Sequence, residues 1–140
     1  MKISARNILA GKIRMVTKGA VSAEVTFDME GGETVVAVVT NSSADSLGLE
    51  SGKAAYAVIK ASDVMIGVGV DAGNISARNV LEGEVLRVQQ GAVNSEVEVQ
   101  LAGGTTVVAS ITKASVQSLE LRPGSKVSAI VKASNVLIGV

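Results

Sequence analysis

Ser4-Ala5-Arg6-Asn7, near the start of the chain, is followed 72 residues later by Ser76-Ala77-Arg78-Asn79. The repetition extends beyond this tetrapeptide, because residues 3–68 align with residues 75–140 without a gap and about half of the paired positions are identical. Such a repeat indicates one structural module written twice. The sequence therefore predicts two domains, 1–68 and 75–140, with a linker at 69–74. A spacer this short predicts that the modules pack together or exchange strands.

Each copy has the pattern of a small β-domain. In the first copy, alternating and β-branched segments predict strands at residues 8–17, 22–29, 34–39, 53–60 and 64–68. Residues 30–33 predict a hairpin turn, and residues 42–49 predict one or two helical turns before the fourth strand. Five strands with a short helix between the third and fourth is the order of an OB-type barrel. We therefore predict an all-β chain of two tandem OB-like barrels, with a small sandwich as the alternative.

The composition sets the size and nature of the core. Of the 140 residues 47% are hydrophobic, yet Phe27 and Tyr56 are the only aromatic residues. The core must therefore consist of Val, Ile, Leu and Ala, which favours strands. One copy has about 66 residues, and domains this small bury a modest share of their surface. We therefore expect further burial between modules or subunits, that is, oligomerisation.

Several function classes are excluded or disfavoured by what the chain lacks. Without His or Cys, the usual zinc sites and the Cys-His and Ser-His nucleophiles cannot form. In the second copy Asp28, Asp45 and Asp63 are replaced by neutral residues, so we expect no paired-carboxylate catalysis and no enzyme. Zero net charge and few aromatic residues disfavour nucleic-acid binding. Since there is no signal-like or membrane-length apolar run, we expect a soluble cytoplasmic protein.

Only three charged pairs occur at equivalent places in both copies: Arg6/Arg78, Lys60/Lys132 and Glu24/Glu96. The two cationic pairs lie in short motifs rich in small hydrogen-bonding residues. This combination suits an oxyanion, because Arg offers a rigid fork of donors, Lys offers a point charge, and hydroxyl and backbone N–H groups add further donors.

Each motif also has a purely structural interpretation. The tetrapeptide can be a strand-entry turn with a surface arginine, and Lys-Ala-Ser a strand-end turn with a solvated lysine. Thr40 and Ser43 can cap the short helix, although a helix N-terminus also attracts anions. Gly19-Ala20-Val21 is typical of a tight turn, and Glu24 and Glu96 can be structural partners of an arginine.

The motifs, taken in order, resemble the molybdate-binding Mop module of the TOBE group of OB-like domains. The resemblance covers nearly the whole chain, and the tandem arrangement is similar to the free-standing, two-module molbindins. It rests on residues 4–7, 18–25, 40–49 and 60–62, and in the second copy on residues 76–79, 91–97, 112–121 and 132–134. Copy two departs from copy one at Asn94, which replaces Ser22, and at Lys113-Ala114, which replaces Asn41-Ser42. These departures put equal affinity of the two copies in doubt.

The resemblance implies two classes of oxyanion site. The first lies between subunits, where two motifs of one chain meet the Thr-x-x-Ser segment of a neighbour. Its residues would be Ser4, Ala5, Arg6, Asn7, Lys60, Ala61, Ser62, Thr40 and Ser43, and in the second copy Ser76, Ala77, Arg78, Asn79, Lys132, Ala133, Ser134, Thr112 and Ser115. The second class lies near a three-fold axis and would use Gly19, Ala20, Val21 and Ser22, with Gly91, Ala92, Val93 and Asn94.

The resemblance also implies a function. The chain would bind intact molybdate or tungstate for storage and homeostasis, as a cytoplasmic trimer, with no cofactor, no direct bond from protein to metal, and no nucleic-acid or membrane partner. Two alternatives stay open: an OB-type nucleic-acid-binding protein, and a purely structural or regulatory interaction module.

Overall fold

The computed structural model describes residues 1–140, which form ten strands and two short helices. The first half contains β1 (Asn7–Lys18), β2 (Ser22–Met29), β3 (Thr34–Thr40), α1 (Asn41–Ser46), β4 (Ala54–Ile59) and β5 (Val64–Gly67). The second half contains β6 (Asn79–Gln90), β7 (Asn94–Leu101), β8 (Thr106–Thr112), α2 (Lys113–Ser118), β9 (Lys126–Val131) and β10 (Leu137–Gly139). Two 3₁₀ turns, Ala61–Asp63 and Ala133–Asn135, precede β5 and β10. The predicted all-β fold, with a short helix between the third and fourth strands, is confirmed.

The two halves exchange their last strands. One sheet has the order β10-β4-β1-β2-β3, and the other has the order β5-β9-β6-β7-β8. β5 pairs antiparallel with β9, and β10 pairs antiparallel with β4. Of the two arrangements that the short linker predicts, the structure shows strand exchange. Each curled sheet therefore needs residues from both halves of the sequence.

The core is continuous through both halves and is almost entirely aliphatic. Burial alternates along β2 and β7, where every second side chain points into the core. The one large aromatic side chain of the core, Phe27, is fully buried and lies against Gly11 of β1. A Cβ on Gly11 would lie 2.7 Å from the Phe27 ring and 2.1 Å from the Asp28 carbonyl oxygen. Glycine is therefore required where these two strands approach.

The limits of the helix are the main correction to the predicted elements. The pattern predicts helical turns over residues 42–49, whereas α1 begins one residue earlier and ends at Ser46. Gly48 ends the turn in the left-handed region, with φ of 61°, and its N–H donates to the Asp45 carbonyl. Leu49 is buried beyond the helix, so the apolar spacing that indicates a longer helix instead reflects core packing. None of the helices combines the length and the apolar character needed to cross a bilayer.

Candidate functional site

The asparagine of each repeated tetrapeptide joins the two halves of the chain. Asn7 is 2% exposed; its Nδ2 donates to the Val108 carbonyl at 2.8 Å, and its Oδ1 accepts from the Val108 N–H at 2.8 Å. Asn79 bonds in the same way to Val36, at 2.8 and 2.7 Å. Val108 and Val36 lie in β8 and β3, each at an edge of the other half's sheet. The amide side chain thus takes the place of a strand residue along an otherwise open edge.

The arginine of each tetrapeptide also reaches across to the other half. Arg78 Nη1 donates to Glu24 Oε1 at 2.6 Å, and Arg6 Nη1 donates to Glu96 in the equivalent pair. The interpretation of the two glutamates as structural partners of an arginine is confirmed. The sequence pattern could not show that each pair joins different halves.

The lysines of the Lys-Ala-Ser motifs lie next to the tetrapeptides. In the β1–β4 ladder Asn7 pairs with Ile59, so Lys60 follows directly beside the Ser-Ala-Arg-Asn segment; Lys132 has the same place beside Asn79. Each lysine precedes a 3₁₀ turn whose alanine is buried. Both lysines are exposed, and neither forms an ion pair or a side-chain hydrogen bond. They are therefore free to meet an anion.

The two motifs of one half face an edge strand of the other half. The 3₁₀ turn after Lys60 packs against β8, and the turn after Lys132 packs against β3. We call these places the seams: the first contains Arg6, Lys60 and β8, and the second contains Arg78, Lys132 and β3. Each seam holds two cations and one glutamate, and the turn at the first seam also carries Asp63, where the second seam has Asn135.

The Thr-x-x-Ser segments follow directly from these edge strands. Thr40 caps α1, because its Oγ1 accepts from the Ser43 N–H at 3.0 Å, and Thr112 caps α2 through Ser115 at 3.1 Å. The capping interpretation is therefore confirmed. The hydroxyls of each Thr–Ser pair are also bonded to each other, at 2.9 and 2.8 Å. No side-chain hydrogen bond joins them to Lys60 or Lys132 within the chain.

The Gly-Ala-Val segments form tight turns, as the sequence indicates. Gly19 N–H donates to the Ser22 carbonyl at 2.8 Å, and a Cβ on Gly91 would lie 2.4 Å from the Asn94 oxygen. Val21 and Val93 are each 74% exposed at the tips. The first residue of each helix donates its backbone N–H to this valine, so the turn and the Thr-x-x-Ser segment share one end of the module.

The surface grooves of the single chain lie elsewhere. One, of about 650 Å³, lies beside the linker; its charged lining residues are Asp71, Glu82, Glu84 and Lys126, so acidic groups outnumber basic ones. The other lies beside Arg14 and Lys18, whose charges are already paired with Asp28 and Asp45. Neither groove includes a residue of the two predicted classes of oxyanion site, and no group of three or more acidic side chains is placed to hold a metal ion.

Comparison with known proteins relates this architecture to one family. The model of the TOBE domain matches residues 3–66 and again residues 75–138. The chain belongs to the TOBE domain family. Over all of its length the chain superposes on the crystal structure of the cytoplasmic molybdate-binding protein ModG with molybdate bound, with a TM-score of 0.94, 46% identity and 99% of that chain covered.

Two proteins with sequences similar to this chain are named as molybdenum-pterin-binding proteins. The molybdenum-pterin-binding protein MopA of Rhodobacter capsulatus is 41% identical over all 140 residues, which correspond to 53% of MopA. The chain thus spans about half the length of the curated relatives that it matches from end to end. A probable molybdenum-pterin-binding protein of Haemophilus influenzae is 48% identical over 68 residues, or 99% of its own length and 49% of this chain. One TOBE module is therefore the size of a complete relative.

Proposed function

We propose that the chain binds a tetrahedral oxyanion, molybdate or tungstate, as an intact ion and without catalysis. The observation that carries this proposal is the full-length match, at 46% identity, to ModG with molybdate bound. MopA, which is similar over the whole chain, is also named as a molybdenum-pterin-binding protein. The free lysine beside an arginine at each seam offers positive charge to an anion.

The resemblance of the motifs to the Mop module implies two classes of site. The seam sites would use the Arg and Lys side chains with the small residues around them, and the hydroxyls of a Thr-x-x-Ser segment from a neighbouring subunit would complete them. The turn sites would use the backbone around Gly19–Ser22 and Gly91–Asn94. Asn7 and Asn79 would contribute by holding the seam together, because both polar atoms of each side chain are already bonded to backbone.

The chemistry of binding would be hydrogen bonding to the four oxygens, with no protein atom on the metal. Charge-assisted bonds from Arg and Lys are the strong ones, and removal from water at a subunit interface strengthens them. Selection against sulfate would rest on cavity size. Storage and homeostasis of molybdate in the cytoplasm would be the role of such a protein.

Sites completed by a neighbour require an assembly, and we propose a trimer. Exposed apolar residues, among them Met15, Val21, Leu86 and Val93, lie along β1 and β6 and at the turns that follow them, and they offer surface for association. Light scattering at micromolar concentration should give three times the mass of the chain. A monomer, both with and without molybdate, would contradict the assembly.

Oxyanion binding should raise the melting temperature, because a ligand that binds only the native assembly stabilises it by mass action. At a ligand concentration of about one hundred times Kd the gain is roughly 2.7 kcal/mol. Scanning calorimetry in molybdate, tungstate and sulfate at equal ionic strength measures it. Melting curves that are identical in all three anions would count against the proposed function.

A further inference from the structure

Glu24 and Glu96 are the only acidic residues that occur at equivalent positions in both copies. Each is bound to the arginine of a seam, and each comes from the opposite half of the chain. The Arg78 and Glu24 side chains are 53% and 49% exposed. Ion pairs this exposed contribute little to stability. Their contribution to the free energy of unfolding therefore does not explain why the same ion pair occurs at both seams.

The geometry leaves most of each guanidinium free. Glu24 accepts only from Nη1 of Arg78, and Glu96 accepts only from Nη1 of Arg6. The Nε and Nη2 donors of both arginines make no hydrogen bond within the chain. The carboxylate thus fixes the orientation of the guanidinium group and leaves its Nε and Nη2 donors for a second acceptor. An anion held by those donors would lie close to the carboxylate, because both bind one guanidinium.

Resting on the proposed function, we infer that Glu24 and Glu96 are positioning residues that aim the seam arginines and set the seam charge. Arg, Lys and Glu together carry one net positive charge, whereas a dianion would be balanced by two. The glutamate therefore holds the arginine in place at the cost of weaker dianion binding. This keeps the oxyanion exchangeable rather than trapped.

Replacement of both glutamates by glutamine separates the effect of arginine orientation from the effect of the carboxylate charge. The amide oxygen of Gln still accepts from Nη1, whereas the negative charge is gone. Two like charges a few ångströms apart near a protein surface repel strongly enough that E24Q/E96Q should bind molybdate about fivefold more tightly or better. E24A/E96A lacks the acceptor as well, and should bind more weakly than the glutamine variant. Titration calorimetry on the full-length protein measures both.

A matched control has the same change of charge away from the seams. Asp28 pairs with Arg14 within the first half, and Glu98 pairs with Arg87 within the second half. The hydrogen bond from Arg14 lowers the pKa of Asp28, so this carboxylate is ionised at neutral pH. D28N/E98Q should therefore lose the same two charges and bind molybdate with nearly wild-type affinity.

A tetrahedral monoanion gives a second readout. Perrhenate carries half the charge of molybdate, so removal of the carboxylate charge should change its binding free energy by about half as much. The affinity of E24Q/E96Q for perrhenate, measured by displacement of molybdate, should therefore rise only by about the square root of the factor by which its affinity for molybdate rises. A structural effect would change both anions alike. Unchanged or weaker molybdate binding by E24Q/E96Q, or an equal gain in D28N/E98Q, would overturn the inference while wild-type binding still supports the proposed function. A wild-type protein that binds no molybdate would overturn both.

Discussion

Replacing Lys60 and Lys132 together by alanine should weaken molybdate binding at the seam sites by tenfold or more and leave the fold intact. A hydrogen bond to a charged group is worth about 1.5–3 kcal/mol, and an anion left under-compensated adds to that loss. At about 1.4 kcal/mol per decade this is at least tenfold in Kd. The fold should survive, because both lysines are exposed, their side chains form no hydrogen bond or ion pair, and alanine keeps the backbone bonds.

Titration calorimetry with a matched lysine pair tests this expectation. K12A/K126A removes two exposed strand lysines outside the motifs and should leave affinity unchanged. In K60A/K132A the turn sites should keep their ligand, so the stoichiometry should fall in part rather than to zero. Wild-type affinity and stoichiometry in K60A/K132A would show that these lysines are merely solvated, and the site assignment would be wrong.

The second large effect concerns stability. Asn7→Ala removes both partners of the Val108 backbone, and Val108 is only 8% exposed. Each buried group left without a partner costs about 1–3 kcal/mol, so for the two groups we expect a loss of roughly 2–6 kcal/mol in the free energy of unfolding. Asn79→Ala should cost less, because the backbone of Val36 is only partly buried and water can reach it.

Urea unfolding at one fixed protein concentration measures these losses, since assembly makes stability depend on concentration. Asn135→Ala, an exposed asparagine with no side-chain hydrogen bond, is the control and should change stability by no more than about 0.5 kcal/mol. If Asn7→Ala and Asn135→Ala proved equally stable, the asparagine could not be what holds the halves together.

Local patterning predicted most of the fold. Alternation along β2 and β7 reflects one buried face, so the strands could be placed within a residue or two. The partner of the last strand could not be deduced, because β5 and β10 have nearly the same sequence and either sheet can accept them. The sequence offered a strand-end turn at Lys-Ala-Ser, but three residues are too few to show that the turn is a 3₁₀ helix.

For the candidate site, the sequence indicated which residue types take part, but it did not indicate which residues contact each other. Repetition singled out the Arg, Lys and Glu pairs, and the structure places one of each at both seams. The role of Asn7 as a substitute for a strand residue depends on Val108, which lies 101 residues away in the sequence. No local pattern carries a contact of that separation. Likewise, the two ion pairs join residues 90 and 54 positions apart, and no local pattern indicates that they connect opposite halves.

Equilibrium dialysis with metal analysis measures whether this chain binds molybdate. Purified protein is dialysed against molybdate in the presence and absence of excess sulfate, with tungstate in a parallel series. We expect the protein to retain molybdenum in stoichiometric amounts, excess sulfate to leave it bound, and tungstate to compete for the same sites. Molybdenum at equal concentration on both sides of the membrane would show that the chain does not bind molybdate.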